Sequence, residues 1–356
     1  AGTNGGRTLD SGFKRDQIGN DNIKWETTTQ TNLGADFSFF NATLYGSVDW
    51  YYKKTRDILV QMAGIAAMGE GSMQWINAGE MENRGVELNL GYRNTTAFGL
   101  KYDLAANLST YRNKITRLPE TVAANGTFGG NGVKSVIGHP MGAQVGYVAD
   151  GIFKSQAEVD NHAQQQGAAP GRIRYRDLDG DNKITEADQT WIYSPVPKFS
   201  YGLNIYLEYK GLDLTMFWQG VQGVDIISDL KKETDLWAGL NIGFLNKGRR
   251  LLGAWSASNP SSDIPALSLS DNANEKRVSS YWVENGSYLK LRTIQLGYNL
   301  PQAVVKKLMM ERLRLYVSAQ NLLTIKSSSF TGVDPENPNF GYPIPLNLTF
   351  GLNVTF

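Results

Sequence analysis

Apolar and polar residues alternate one by one along nine stretches of this chain. In the stretch "LNLTFGLNVTF", Leu346, Leu348, Phe350, Leu352, Val354 and Phe356 are apolar, and every residue between them is Asn, Thr or Gly. Successive side chains of a strand point to opposite sides, so such a segment has one apolar and one polar face. The same alternation runs through "WETTTQTNLGADFSF" from Trp25, "TLYGSVDWYYK" from Thr43, "GVELNLGYR" from Gly85 and "FGLKYDLAANLST" from Phe98. It returns in "FSYGLNIYLEY" from Phe199, "LDLTMFWQ" from Leu212, "YLKLRTIQLGY" from Tyr288 and "RLRLYVSAQN" from Arg312. The stretch from Tyr288 changes phase near Arg292, where a β-bulge is expected.

The connections between these strands carry a second pattern. Phe40 to Ala42, "NTTA" from Asn94, and Lys210 with Gly211 are short, and "NLPQAVVKKLMM" from Asn299 is moderate. Residues 58–83, 113–197, 221–286 and 323–345 are long. Short turns at one end and long loops at the other describe an outer-membrane β-barrel, with the short turns in the periplasm. A soluble sandwich also alternates, but its apolar faces must meet in a core, and it seldom carries so long a loop. Glu26, Gln30, Asp36, Asp49, Glu87 and Asp103 fall on the polar faces and suit a wet lumen. The expectation is an all-β fold: a transmembrane antiparallel β-barrel segment of about nine strands with long extracellular loops. Residues 1–24 read as an extracellular loop entered midway, and residues 25–356 as the barrel segment. A nine-strand sheet leaves a bare edge at "WETTTQTNLGADF", which lipid does not tolerate. The reading is therefore the carboxyl part of a longer barrel, whose other strands precede Ala1 or come from another chain.

Composition narrows the picture. With 35 basic and 34 acidic residues among 356, the chain gives no electrostatic support to nucleic-acid binding. The absence of Cys excludes disulfides and thiol catalysis. No apolar run approaches the roughly 18 residues of a membrane helix. Trp25, Trp50, Tyr52, Tyr92, Tyr209, Trp218 and Tyr298, near strand ends on the apolar faces, read as interfacial girdles.

One motif carries explicit chemistry. "DLDGDNKITEAD", Asp177 to Asp188, has the spacing of an EF-hand-type calcium loop. Asp177, Asp179 and Asp181 stand at positions 1, 3 and 5, Lys183 offers its carbonyl at 7, Thr185 or a water serves 9, and Asp188 closes at 12. Calcium, or magnesium, is the implied ion. Asn182 replaces the turn-forming Gly, and Asp188 is shorter than the usual Glu. The competing readings are a solvated acidic turn and a Thr185/Asp188 capping box opening a short helix. Trp75, Trp237, Trp255 and Trp282 in the long loops are candidates for contact with substrate or a partner protein, or else they pack the loops. "SQAEVD" from Ser155 reads as a second capping box. "PQAVVKKLMM" reads as a brief amphipathic turn with Val304, Val305 and Leu308 inward and Lys306 and Lys307 solvated. His139 and His162 sit in no metal or nucleophile motif, so no catalytic residue is assigned.

These stretches, in this order, resemble the carboxyl-terminal part of SusC/RagA-type TonB-dependent transporters of Bacteroidota. The resemblance rests on "NIKWETTTQTNLGADF", "GSVDWYYKKTRDIL", "NAGEMENRGVEL", "GYVADGIFKSQAEVD", "RYRDLDGDNKITEADQ", "PVPKFSYGLNI", "FWQGVQGVDI", "SYLKLRTIQLGYNLP", "LRLYVSAQNLLT" and "FGLNVTF". It implies a plugged outer-membrane barrel of about 22 strands, of which these are the last. It also implies a SusD-like surface lipoprotein as lid, TonB as the energy-coupling partner, and active import of oligosaccharides, with oligopeptides as the rival substrate. The plug and TonB-binding segment that it implies are assigned to no residue here. Two readings from other classes stay beside it: an outer-membrane barrel enzyme and a soluble calcium-dependent binding module.

Overall fold

The computed structural model describes residues 3–4, 8–9, 19–61, 74–119, 130–131, 137–235, 248–268, 275–338 and 341–356. Its principal sheet is antiparallel and contains β1 (Thr27–Phe39), β2 (Leu44–Gln61), β3 (Trp75–Thr95), β4 (Lys101–Thr110), β5 (Arg112–Arg117), β6 (Phe199–Tyr209), β7 (Leu212–Gln222), β8 (Tyr288–Asn299), β9 (Arg312–Lys326) and β10 (Asn347–Thr355). All but β5 follow sequence order across the sheet, each hydrogen-bonded to the next, and β5 pairs with β3. The nine alternating stretches are thus nine consecutive neighbours, as a meander requires. The expected bulge is present: the register of β8 shifts at Arg292 against both β7 and β9.

Alternation becomes surface through the registers. Tyr102, Leu207, Leu214, Leu296, Val317 and Phe350 form one apolar row across six strands, and Leu104, Ile205, Met216, Ile294, Ala319 and Leu348 form the next. On the opposite face lie Asp103, Tyr206, Thr215, Gln295, Ser318 and Thr349. The apolar rows stay largely uncovered, with Leu296 at 47% and Phe350 at 79% exposure, so this face suits an apolar solvent and not a protein core.

Short turns close one end of the strands: 40–43, 96–100, 210–211 and 300–311. Lys210 and Gly211 both have positive φ, the two-residue turn whose twist matches the flanking strands, and a Cβ on Gly211 would stand 2.8 Å from the Asn299 carbonyl. The expected loop bounds contract where strands run on. The 58–83 connection is reduced to 62–74, because β2 continues to Gln61 and β3 starts at Trp75; the other long loops become 118–198, 223–287 and 327–346. Of the expected loop over residues 1–24, only 3–4, 8–9 and 19–24 are among the described residues.

Contacts divide the chain into two compact units. One holds residues 1–31, 52–83 and 113–142. In it Asn77 donates to the carbonyls of Lys24 (2.8 Å) and Asp57 (2.7 Å), and Glu80 takes an ion pair from Lys54 at 2.9 Å. The other holds residues 32–51, 84–112 and 143–356, including most of the sheet and a loop cluster around Tyr147, Ile173, Tyr175, Ile184 and Trp282.

Candidate metal centre

The acidic loop hangs from that cluster. Ile173–Tyr175 pairs with Ala149–Ile152, which buries Ile173 and Tyr175 on the near side of the loop, and Ile184 is buried on the far side. Buried Gln165 substitutes for a missing strand: its side chain donates to the Ile173 carbonyl (2.8 Å) and accepts from the Tyr175 amide (2.9 Å). Gln164 clasps the far arm through Asn182 O (2.8 Å) and Ile184 N (3.0 Å). Both arms of the loop are therefore fixed before any carboxylate is placed.

Each carboxylate then orders backbone amides. Asp177 accepts from Gly180 N (2.7 Å) and Asn182 N (2.9 Å), Asp179 from Asp181 N (3.1 Å), and Asp181 from Lys183 N (2.8 Å). Asn182 takes a left-handed φ of 64°, the conformation that position requires. Asp188 is buried and accepts from Leu178 N and Thr185 N, both at 2.7 Å. Burial pushes its carboxyl pKa up, but the amides of Thr185, Leu178 and Asp179 and the contact with Asp177 outweigh it and hold the group below the usual carboxylate value.

Asp177, Asp179 and Asp188 each bring one oxygen into a group whose members lie within 4.8 Å of one another. Asp181 is not in that group. Thr185 caps the one-turn 3₁₀ helix Glu186–Asp188 by accepting from Ala187 N (3.2 Å), so the capping box coexists with the acidic cluster. Among the described residues no Lys or Arg ion-pairs with the three carboxylates. Two unit charges at that separation repel by roughly 3 kcal/mol at an effective dielectric constant of about 20, so a hard divalent cation with oxygen ligands fits the donor set.

The tryptophans separate. Trp282, 2% exposed, belongs to the loop core, so the packing alternative describes its position. Trp255 is half-buried against Gly171, where an added Cβ would stand 2.5 Å from its ring. Trp75 opens β3 instead of lying in a loop and is exposed. Trp237 lies outside the described residues. Ser155 caps the helix Gln156–Asp160 by accepting from Glu158 N (3.3 Å), while the Glu158 carboxylate reaches back to Lys154 N (2.9 Å). His162 has a structural post, Nε2 at 2.9 Å from Tyr175 O and its ring edge-on to Phe153. Burial holds the His139 pKa below its ordinary value.

A cluster on the polar face escaped the sequence reading. Lys290, almost fully buried on β8, places Nζ 2.6 Å from both oxygens of Asp334 and 2.5 Å from Glu336. Glu336 also accepts from Tyr288 Oη (2.6 Å) and from Arg292, and Arg292 donates to Gln219 on β7 (2.8 Å). The phase change at Arg292 was the available signal, because the bulge puts Tyr288 and Lys290 on the polar face while Ile294 and Leu296 stay on the apolar one. Toward the short-turn end, Asp213 and Arg314 form a second ion pair (2.5 Å) beside a polar cavity of about 720 Å³.

Residues 2–322 match the family described as TonB dependent receptor-like, beta-barrel. The chain is similar to TonB-dependent receptor P3 of Formosa agariphila, with 34% identity over 360 residues that cover 95% of this chain and 35% of that protein. Against TonB-dependent receptor SusC of Bacteroides thetaiotaomicron the identity is 27% over 355 residues, covering 95% of this chain and 32% of that one. A solved structure of the RagAB peptide transporter superposes with a TM-score of 0.77 and 26% identity, covering 98% of this chain and 38% of that chain. The chain spans about a third of the length of the curated relatives it matches. An antiparallel meander with an uncovered apolar face is the form such a family takes in lipid, and this chain belongs to the TonB-dependent receptor β-barrel family, of the SusC/RagA kind, in the outer membrane.

Proposed function

We propose that this chain is part of the wall of a TonB-dependent importer that carries oligosaccharides, working with a SusD-like surface lipoprotein and with TonB. The supporting observation is the polar face. Its central rows carry the amides and hydroxyls Asn204, Thr215, Thr293, Gln295, Ser318 and Gln320 beside Asp103, Tyr206 and Phe217, while Lys101–Glu208, Asp213–Arg314 and Lys290–Asp334 neutralise one another. A neutral, hydroxyl-rich solute finds many weak hydrogen-bond partners on such a surface. Oligopeptides are the second reading, favoured by the similarity to the RagAB peptide transporter. The test is uptake of labelled oligosaccharide and oligopeptide mixtures by cells with the transporter gene intact or disrupted, with and without an uncoupler. Gene-dependent, uncoupler-sensitive uptake of glycan alone supports the first reading; uptake of peptide alone replaces it with the second. Catalysis has no part in this account, in keeping with a family of transporters.

Within the same wall, Asp177, Asp179 and Asp188 would hold calcium with the Lys183 carbonyl, and Asp181 and Thr185 would serve through water. The ion would neutralise the carboxylates and brace the 118–198 loop. Calorimetric titration of the assembled protein carrying Asp177→Ala and Asp179→Ala should show ion binding lost; retained binding refutes the assignment.

A further inference from the structure

The turn between β8 and β9 departs from its expected form in an informative way. It consists of a helical turn, Gln302–Val305, followed by the 3₁₀ turn Lys306–Leu308. Val305 alone of its apolar residues is fully buried, whereas Val304, Leu308 and Met309 are 43%, 48% and 89% exposed. The expected inward packing of Val304 and Leu308 is thereby overturned. Water is a costly environment for three adjacent apolar side chains, so their direction matters.

That direction follows from the helix. Gln302 and Glu311 line the polar-face cavity, and Gln302 donates to the Glu311 carbonyl at 3.3 Å. A residue two positions on lies about 200° around a helix, which turns Val304 away from the polar face, and Leu308 ends the 3₁₀ turn that follows. Val305, three positions from Gln302, falls on the polar side and is the buried one. The exposed side of the turn therefore continues the apolar face of the sheet, whose rows nearest the turn are Leu212, Tyr298, Leu315 and Leu352, and then Leu313 and Val354. Lys306 and Lys307 stand exposed between Val304 and Met309 and have no ion-pair partner among the described residues.

We propose that this turn is a phospholipid-binding foot on the periplasmic leaflet. Val304, Leu308 and Met309 enter the boundary between acyl chains and headgroups, Lys307 binds lipid phosphate there, and Lys306, on the Gln302 side of the turn, reaches the same phosphate layer by its long stem. Apolar contacts flanked by lysines are the chemistry of interfacial anchoring: the lysine stems lie along apolar surface while their ammonium groups reach the phosphate layer. The foot rests on the outer-membrane placement and is independent of which solute is carried.

This chain has no Cys of its own, so a single introduced Cys tests the foot once any Cys elsewhere in the assembly is replaced by Ser. The assembled transporter, with Met309→Cys or, as a second position, Leu308→Cys, is spin-labelled in nanodiscs of phosphatidylethanolamine with phosphatidylglycerol. The label should be relaxed more by oxygen than by a water-soluble nickel complex. In native mass spectrometry of the same nanodiscs, Lys306→Gln with Lys307→Gln should reduce co-ejected phosphatidylglycerol several-fold, while Lys210→Gln, at the neighbouring short turn, should leave it unchanged. A label that reports water, or lipid retention that the Lys306 and Lys307 changes leave unmoved, overturns the proposal.

Discussion

Replacing Lys290 with Met removes the ammonium at the centre of the polar-face cluster while keeping the length of the side chain. Three carboxylate oxygens within 2.6 Å then lose their cation. Glu336 retains Arg292 and Tyr288, but Asp334, 8% exposed, keeps only the amide of Glu336 at 2.9 Å. Removing one partner of a buried ion pair costs about 3–5 kcal/mol, because the survivor is left charged and desolvated. The affected equilibrium is docking of the 327–346 loop against β8, since Asp334 and Glu336 belong to that loop and Lys290 to the strand. That cost corresponds to roughly two to four orders of magnitude in the ratio of docked to undocked loop. The assay is hydrogen exchange of the assembled protein in nanodiscs, read at residues 330–338. Lys290→Met should accelerate exchange there while the amides of β8 and β9 below the bulge stay protected. Adding Asp334→Leu should recover most of the protection, because an apolar pair can replace an ionic one at little net cost. Exchange within about twofold of the parent would refute the reasoning, since a change that small is under about 0.5 kcal/mol.

Acid should open the same latch. Burial pushes the Glu336 carboxyl up, and hydrogen bonds from Lys290, Tyr288 and Arg292 outweigh it and lower its pKa; the stability this lends is full above the unfolded value of about 4.3 and is lost as pH falls through the folded one. Exchange at 330–338 should therefore rise below about pH 4, and a flat profile would contradict it. Asp188→Asn should raise the calcium dissociation constant at least tenfold and speed proteolysis of the 118–198 loop in calcium; unchanged cleavage with unchanged affinity counts against the ion as a brace. Trp282→Ala should destabilise the loop cluster by about 3–5 kcal/mol, seen as faster exchange at Ile173–Tyr175. Gly211→Val should cost at least about 1 kcal/mol in urea unfolding from lipid, because Gly211 has a φ of 86° and its Cβ position faces the Asn299 carbonyl.

How far the sequence could be read depended on whether water or lipid faced the residue in question. The nine strands were legible because lipid on one side and water on the other impose strict alternation, and the bulge at Arg292 was legible as a break in it. The outer parts of β2 and β3 were not. "ILVQ" from Ile58 and "NAGEMEN" from Asn77 lack the alternation, and side-chain bonds such as Asn77 to Asp57 O hold strand geometry there. The calcium-type loop was legible in its turns, including the left-handed Asn182, because Asp and Asn side chains bond to amides two or three residues on. Spacing alone does not say which way a side chain turns: Asp181 bonds to Lys183 N and stays out of the three-carboxylate group. Val304 and Leu308 misled for a different reason: amphipathic periodicity marks a face, and in a barrel the apolar face looks outward. Lys290 and Asp334, 44 residues apart, were invisible to any local pattern.

The central claim is that one face of this sheet meets lipid and the other water. Gln295 and Leu296 are neighbours on β8, on opposite faces and away from the bulge. Installed one at a time in the assembled transporter in proteoliposomes, with any Cys outside this chain replaced by Ser, Gln295→Cys and Leu296→Cys are treated with a charged, membrane-impermeant maleimide. The account predicts labelling of Gln295→Cys and protection of Leu296→Cys until detergent is added. Equal labelling of both, or the reverse preference, would contradict it.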